Sequence, residues 1–170
     1  MKRLFDEVTM TRTLRRITHE IIEQIDVLEN VVFLGIKRKG FPLAKMLSEN
    51  IEKFENVKIP AYEIDISSHR DDDKKSEGNN SDVDVKDKIV ILVDDVLYTG
   101  RSVRAAMDAV MDLGRPSKIQ FAVLVDRGHR ELPIRPDYVG KNIPTSSNEK
   151  ILVQFDDEPG IYILKEKGES

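Results

Sequence analysis

Residues 89–102, Ile-Val-Ile-Leu-Val-Asp-Asp-Val-Leu-Tyr-Thr-Gly-Arg-Ser, constrain the fold of this chain more than any other stretch. Five apolar residues without alternation, Ile89 to Val93, describe a strand covered on both faces; such strands are parallel and present ligands at their carboxyl ends. Chemistry is therefore expected at Asp94 and beyond. Successive side chains point to opposite sides of a strand, so Asp94 and Asp95 offer acceptors in two directions, which suits a sugar diol or a hydrated metal ion. Thr99 and Ser102 then supply hydroxyls, Gly100 lets a backbone come close, and Arg101 brings positive charge to the start of a helix expected over Val103–Leu113. Backbone amides at a helix start bind phosphate. The plainer alternative is an ordinary strand-turn-helix whose turn is charged because charges prefer solvent.

With 170 residues the chain is expected to form one domain, 1–170. It has no cysteine and no apolar run long enough to span a membrane, and Asp6 interrupts any signal-peptide core, so a cytoplasmic protein without disulfides is expected. The net charge of −4 gives no argument for a nucleic-acid partner; only the distribution of charge can. Leu14, Ile17, Ile21 and Ile25 recur at helical spacing and predict a first helix over Thr11–Leu28. A buried strand, Val31–Leu34, follows, then the loop Gly35–Gly40 and a helix opened by Pro42, with Leu43, Met46, Leu47 and Ile51 inward. A second strand is expected over Lys58–Ile66. Beyond the signature helix, Gly114-Arg115-Pro116 stops the chain before a buried strand, Ile119–Val125. Alternating strands and helices imply an α/β fold with a doubly wound, mostly parallel sheet.

Two further segments point to ligands. Gly35 and Gly40 have the spacing of P-loop glycines, but Phe41 and Pro42 stand where that motif needs Lys and Ser or Thr, so nucleotide-triphosphatase chemistry is not expected. Lys37, Arg38 and Lys39 between those glycines still form a candidate anion cradle; the alternative is a basic surface turn. Residues 67–88 are dense in Asp, Lys, Ser, Gly and Asn and read as a long mobile loop, with Arg70, Asp71 and Asp72 near its beginning.

The signature resembles the phosphoribosyl pyrophosphate (PRPP) motif of the type I phosphoribosyltransferases. That resemblance implies that Asp94 and Asp95 hold the ribose hydroxyls and that Val96, Leu97, Tyr98, Thr99, Gly100, Arg101 and Ser102 form the 5′-phosphate loop. It further implies that Lys37, Arg38, Lys39 and Gly40 receive pyrophosphate, that Arg70 lies in a lid over the donor, that Mg²⁺ accompanies PRPP, and that the chain ends build a small hood. Residues 123–135 (Val-Leu-Val-Asp-Arg-Gly-His-Arg-Glu-Leu-Pro-Ile-Arg) and 138–146 (Tyr-Val-Gly-Lys-Asn-Ile-Pro-Thr-Ser) closely resemble the PyrR family, bifunctional regulators of pyrimidine-operon attenuation with uracil phosphoribosyltransferase activity. This implies conversion of uracil and PRPP to UMP and pyrophosphate, UMP- or UTP-dependent binding of a pyrimidine-operon messenger stem-loop, and a homodimer or higher homo-oligomer.

The basic residues fit this implication without proving it. Arg12, Arg15 and Arg16 near one end, and His129, Arg130, Arg135 and Lys141 with Thr145 near the other, form the candidate RNA set; a solvated basic face is the alternative. The chain makes two departures from the family pattern. Arg38-Lys39 replaces Thr-Arg before the loop glycine, substituting a point charge for a forked donor, and His69 replaces an aromatic residue before Arg70. Other expectations are a regulator that uses the PRPP pocket only to sense nucleotides, and a salvage phosphoribosyltransferase without an RNA role.

Overall fold

The apolar run folds as strand β4 (Ile89–Leu97), the middle of a parallel five-stranded sheet. The order is β3 (Ala61–Ile64), β2 (Val31–Ile36), β4, β5 (Lys118–Asp126), β6 (Tyr138–Asn142). This computed structural model describes residues 1–69 and 83–166. Alternate residues of the central strands enter two cores. Phe33, Ile91 and Val93 pack with helices α1 (Glu7–Gln24) and α2 (Lys37–Glu55), whereas Leu34, Val90 and Leu92 pack with α3 (Arg101–Leu113). Because both faces are covered, the strand needs no polar alternation, which is why it is legible as an apolar run.

A second sheet caps the first. Strand β1 (Lys2–Asp6) pairs antiparallel with β8 (Gly160–Lys165), and β8 pairs with β7 (Glu149–Gln154). This three-stranded sheet is the hood expected from the chain ends. Ile151, Val153 and Ile161 join the core cluster that holds Phe33 and Val93, so hood and main sheet share buried surface.

Several boundaries differ from expectation. The first helix begins at Glu7, not Thr11, because the Asp6 carboxylate accepts the Thr9 N–H at 2.9 Å and caps the helix; it ends at Gln24, with Ile25 extended and Leu28 in a short 3-10 turn. The second strand is confined to Ala61–Ile64, directly after Pro60, which has no N–H to give a ladder. Helix α2 starts five residues before Pro42, which lies inside it. Most of the expected lid, residues 70–82 and with them Arg70, lies outside the described residues. Its final part is packed: Val85 is fully buried in the α3-side core, and Lys88 accepts the Ser117 N–H at 2.8 Å.

Helix α1 turns Met10, Leu14, Ile17 and Ile21 inward, and Ile21 has no exposed surface. Ile21→Ala is expected to lower the unfolding free energy by about 2–5 kcal/mol, the range for emptying a buried branched aliphatic site. A urea titration followed by circular dichroism measures this, and a loss below the lower limit would mean that the site refills.

Candidate functional site

Asp94 and Asp95 lie in the carboxyl-terminal half of β4, before Val96 and Leu97, and sit half-buried, with Asp94 opposite Val123 of β5. Each carboxylate accepts the N–H of the next residue: Asp94 Oδ1 from Asp95 at 2.8 Å, and Asp95 Oδ1 from Val96 at 2.9 Å. Burial, reinforced by the neighbouring charge of Asp95, pushes the Asp94 carboxyl well above the ordinary carboxylate range. The chain then turns through Gly100, whose φ of 95° lies in the left-handed region that glycine adopts without strain. Helix α3 begins at Arg101, two residues before the expected start, and Thr99 Oγ1 accepts the Arg101 N–H at 3.3 Å. A cavity of about 310 Å³ opens here between Asp94, the segment Val96–Val103 and Phe121. Backbone amides at the start of α3 and the Thr99 and Ser102 hydroxyls give that cavity the chemistry of an anion site.

The presumed cradle of residues 35–40 is not a loop. Gly35 and Ile36 end β2, and Lys37–Gly40 form the first turn of α2, entered through a strained left-handed Lys37 at φ 53°. The two glycines allow this tight junction, since a Cβ at Gly40 would strike the Val93 carbonyl and one at Gly35 the Phe41 backbone. Lys37, Arg38 and Lys39 line a cavity of about 850 Å³ together with Asp94, Asp95 and Ser102, so this cavity adjoins the phosphate-loop cavity. Arg38 is exposed, whereas Lys39 donates from Nζ to the Val153 carbonyl of β7 at 2.5 Å. Asp65 faces the same space, its carboxyl held below the ordinary range by hydrogen bonds from the Ser67 hydroxyl and N–H. Among the described residues no three metal-ligating side chains come together.

The basic residues named from the sequence meet in part. Arg12, Arg15 and Arg16 are exposed on α1, and Arg16 reaches the carbonyls of Val139 (3.2 Å) and Gly140 on β6 while pairing with Glu20 at 2.7 Å. This joins α1 to the strand that carries Lys141, whose ammonium stands 4.9 Å from the Phe5 ring. His129, in the left-handed region at φ 67°, bonds from Nε2 to the Thr145 carbonyl at 2.5 Å. Arg130 pairs with Asp126, and Arg135 is exposed on the same loop.

Two residues absent from the sequence-based set prove central. Arg127 is 7% exposed and lies with its guanidinium carbon 4.0 Å from the Tyr98 ring centroid. Glu131 pairs with Arg101 at 2.8 Å and bonds from its N–H to the Thr99 carbonyl at 2.9 Å, tying the loop after β5 to the phosphate loop. The sequence signals for Arg127 are its place just past a buried strand, after Asp126, and within the 123–135 run that resembles the PyrR family.

Comparison with known proteins agrees with this geometry. Residues 2–159 match the family model described as phosphoribosyl transferase domain. The chain is 52% identical to the bifunctional protein PyrR of Latilactobacillus sakei, over 97% of this chain and 98% of that one. It is 58% identical to that of Clostridium perfringens over 92% of each, and 56% identical to that of Enterococcus faecalis over 94% and 92%. Among solved structures, the hypoxanthine phosphoribosyltransferase of Trypanosoma cruzi superposes with a TM-score of 0.76 at 20% identity, covering 98% of both chains. A hypoxanthine-guanine phosphoribosyltransferase of Bacillus anthracis does so with a TM-score of 0.75 at 18% identity, covering 97% and 98%. These two likenesses concern the fold, which is that of the type I phosphoribosyltransferases.

The raised Asp94 carboxyl makes a signed prediction. Between the ordinary aspartate pKa and the raised one, the folded protein binds a proton that the unfolded chain has released, so stability falls as pH rises through that window. Asp94→Asn removes the effect. Parent and variant are expected to melt together below about pH 3, where both side chains are neutral. The variant should become progressively the more stable above the ordinary range. Thermal melts across a pH series check this, and a parent that gains stability over the variant with rising pH would contradict it.

Proposed function

This chain belongs to the PyrR family of phosphoribosyl transferase domain proteins, and from that premise we propose that it both transfers phosphoribosyl from PRPP to uracil and binds pyrimidine-operon messenger RNA in a UMP- or UTP-dependent way. The observation that carries the reading is that relatives named bifunctional protein PyrR match at 52–58% identity over more than nine-tenths of the chain, with the strand-end acidic pair and the left-handed Gly100 turn at one cavity.

The reaction divides among the elements. The 5′-phosphate of PRPP sits on the amides of Thr99–Ser102 at the start of α3, and Asp94 and Asp95 hold the ribose hydroxyls. Pyrophosphate lies toward Lys37 and Arg38 across the adjoining cavity, with Gly40 permitting the close junction. Uracil N1 forms a bond to C1′ as the bond from C1′ to pyrophosphate breaks, and the N1 proton is released, giving UMP. Positive charge builds on the ribose during this exchange, and the carboxylates at the strand end are placed to offset it. Water at this stage would hydrolyse PRPP; Arg70, which the family resemblance assigns to the donor, lies outside the described residues.

Mg²⁺ fits the donor set. Two adjacent carboxylates with no third metal ligand among the described residues match an ion that keeps waters and arrives bound to substrate phosphates. Asp94 and Asp95 would hold it there, and its charge would ease departure of pyrophosphate.

The RNA surface comprises Arg12, Arg15 and Arg16 of α1 with His129, Arg130, Arg135, Lys141 and Thr145, completed by a second copy in a homodimer or larger assembly. No helix among the described residues is long and apolar enough to cross a membrane. The chain works as one domain, since its hood and main sheet share a core. The Lys39 tether to Val153 removes one cation from the pyrophosphate side, which supports slow catalysis beside intact regulation.

Assaying uracil with PRPP beside stem-loop binding with and without UMP, on one sample, tests the reading. Both activities are expected. RNA binding without turnover would leave a regulator that only senses nucleotide, and turnover without RNA binding a salvage enzyme.

Two substitutions separate the sites. Gly100→Val places a branched side chain at φ 95° in the phosphate loop and is expected to weaken UMP and PRPP together by about five-fold or more, on the basis of about 1–3 kcal/mol for a disfavoured backbone conformation. Calorimetry with UMP reads this; parental UMP affinity would place the phosphate elsewhere. Arg135→Gln is expected to leave uracil turnover intact while lowering the slope of log affinity against log salt for RNA by about one. An unchanged slope across a salt series would remove Arg135 from the RNA face.

A further inference from the structure

Arg127 follows β5 and keeps only 7% of its surface exposed, an uncommon place for a guanidinium. On one side it meets the phosphate loop: its guanidinium lies 4.0 Å from the Tyr98 ring centroid, and its N–H donates to the Leu97 carbonyl at 3.1 Å. On the other it meets the segment leading to β7. There Nε donates to Thr145 Oγ1 at 2.9 Å, and Nη2 donates to the carbonyls of Ser146 (3.4 Å) and Glu149. The Arg127 carbonyl also accepts from Thr145, from its N–H at 3.3 Å and its hydroxyl at 3.2 Å. His129 repeats the pattern, with its ring edge-on to Tyr98 at 5.7 Å and its Nε2 on the Thr145 carbonyl. Tyr98 lines the phosphate-loop cavity; Arg127 does not.

Resting on the nucleotide-dependent RNA reading above, we propose that Arg127 is the positioning residue through which occupancy of the phosphate loop is transmitted to His129 and Thr145 on the RNA face. A 5′-phosphate bound at Thr99–Ser102 orders the adjoining Tyr98. The Tyr98 ring lies against both Arg127 and His129, so its placement fixes theirs. A planar fork bonded at Thr145, Ser146 and Glu149 cannot follow a shifted ring by small bending, because its bonds are made or lost as a set in a packed interior. The loop therefore has discrete arrangements that nucleotide and RNA both bias, and by linkage each ligand tightens the other to the same degree.

The test measures the affinity of a synthetic pyrimidine-operon leader stem-loop with and without saturating UMP for the full-length parent, Arg127→Gln and Arg127→Lys. In the parent, UMP is expected to tighten RNA binding by at least about five-fold, the lower end of ordinary coupling between sites. Arg127→Gln is expected to bring this ratio to within about two-fold of one, and Arg127→Lys, which keeps the cation near Tyr98 but not the fork, to an intermediate value. A merely structural residue would weaken RNA binding equally with and without UMP, leaving the ratio parental, and that result in Arg127→Gln overturns the proposal. If Arg127→Gln does not fold by circular dichroism, a parental ratio in Arg127→Lys overturns it instead. Failure of the parent to bind the stem-loop even with UMP overturns the regulatory reading itself, a result distinct from a parental ratio in the variants.

Discussion

Burial of β4 on both faces is the constraint from which the site follows. Val90, Ile91 and Leu92 have no exposed surface, each on the face opposite its neighbour, and two separate cores grip the strand. A strand held so firmly can carry two carboxylates at its end without fraying. The same burial gives those carboxylates their character, because a low-dielectric mouth raises the cost of ionising Asp94 beside Asp95. Parallel neighbours on either side, β2 and β5, bring their own carboxyl ends to that mouth. Lys37 and Arg38 therefore approach from one side and Arg127 from the other, although Arg38 and Asp94 lie 56 positions apart in sequence and Asp94 and Arg127 lie 33 apart.

The hood packs beside this sheet end and shares its core. Its strands come from both chain termini, and its apolar residues Ile151, Val153 and Ile161 are held by the same core as the sheet. Two cationic side chains reach it from the site side, Lys39 to the Val153 carbonyl and Arg127 to the carbonyls of Ser146 and Glu149. Backbone carbonyls are acceptors that folding must satisfy or expose, and here cations from beside the anion cavities satisfy them.

What the sequence made legible follows from how local each signal is. The β4 run, the αL glycine at 100 and the helix after it are contiguous, so periodicity and turn chemistry suffice to place Asp94 through Ser102. Junction geometry was less legible. The segment 35–40 reads as a loop because two glycines normally mark one, yet here they serve a close approach of α2 to β2 and β4, a tertiary demand invisible in a window of six residues. The cap at Asp6 was likewise passed over, since the apolar stripe begins only at Met10 and the first turn of α1 carries little of it. Arg127 could not be ranked from the chain alone: it bears on Tyr98, Thr145 and Glu149, and such a set converges only when three loops have been placed.

The charges that remain are divided by partner. In a chain of net charge −4, Arg16, Arg101 and Arg130 are paired with Glu20, Glu131 and Asp126. Arg12, Arg15 and Arg135 instead stand exposed on α1 and on the loop after β5. Arg16 joins these regions through the Val139 and Gly140 carbonyls, spanning 124 residues of sequence in its contact with Gly140. Of the paired arginines, Arg101 through Glu131 and Arg16 through its β6 carbonyls bridge separate elements, whereas the Arg16–Glu20 and Arg130–Asp126 pairs lie within one helix and one strand-to-loop junction. On the proposed reading, a polyanion on this face meets α1 where Arg16 holds it to β6 and the 127–135 loop where Glu131 holds it to the phosphate loop, which gives a ligand at the sheet end a physical route to a surface it does not touch.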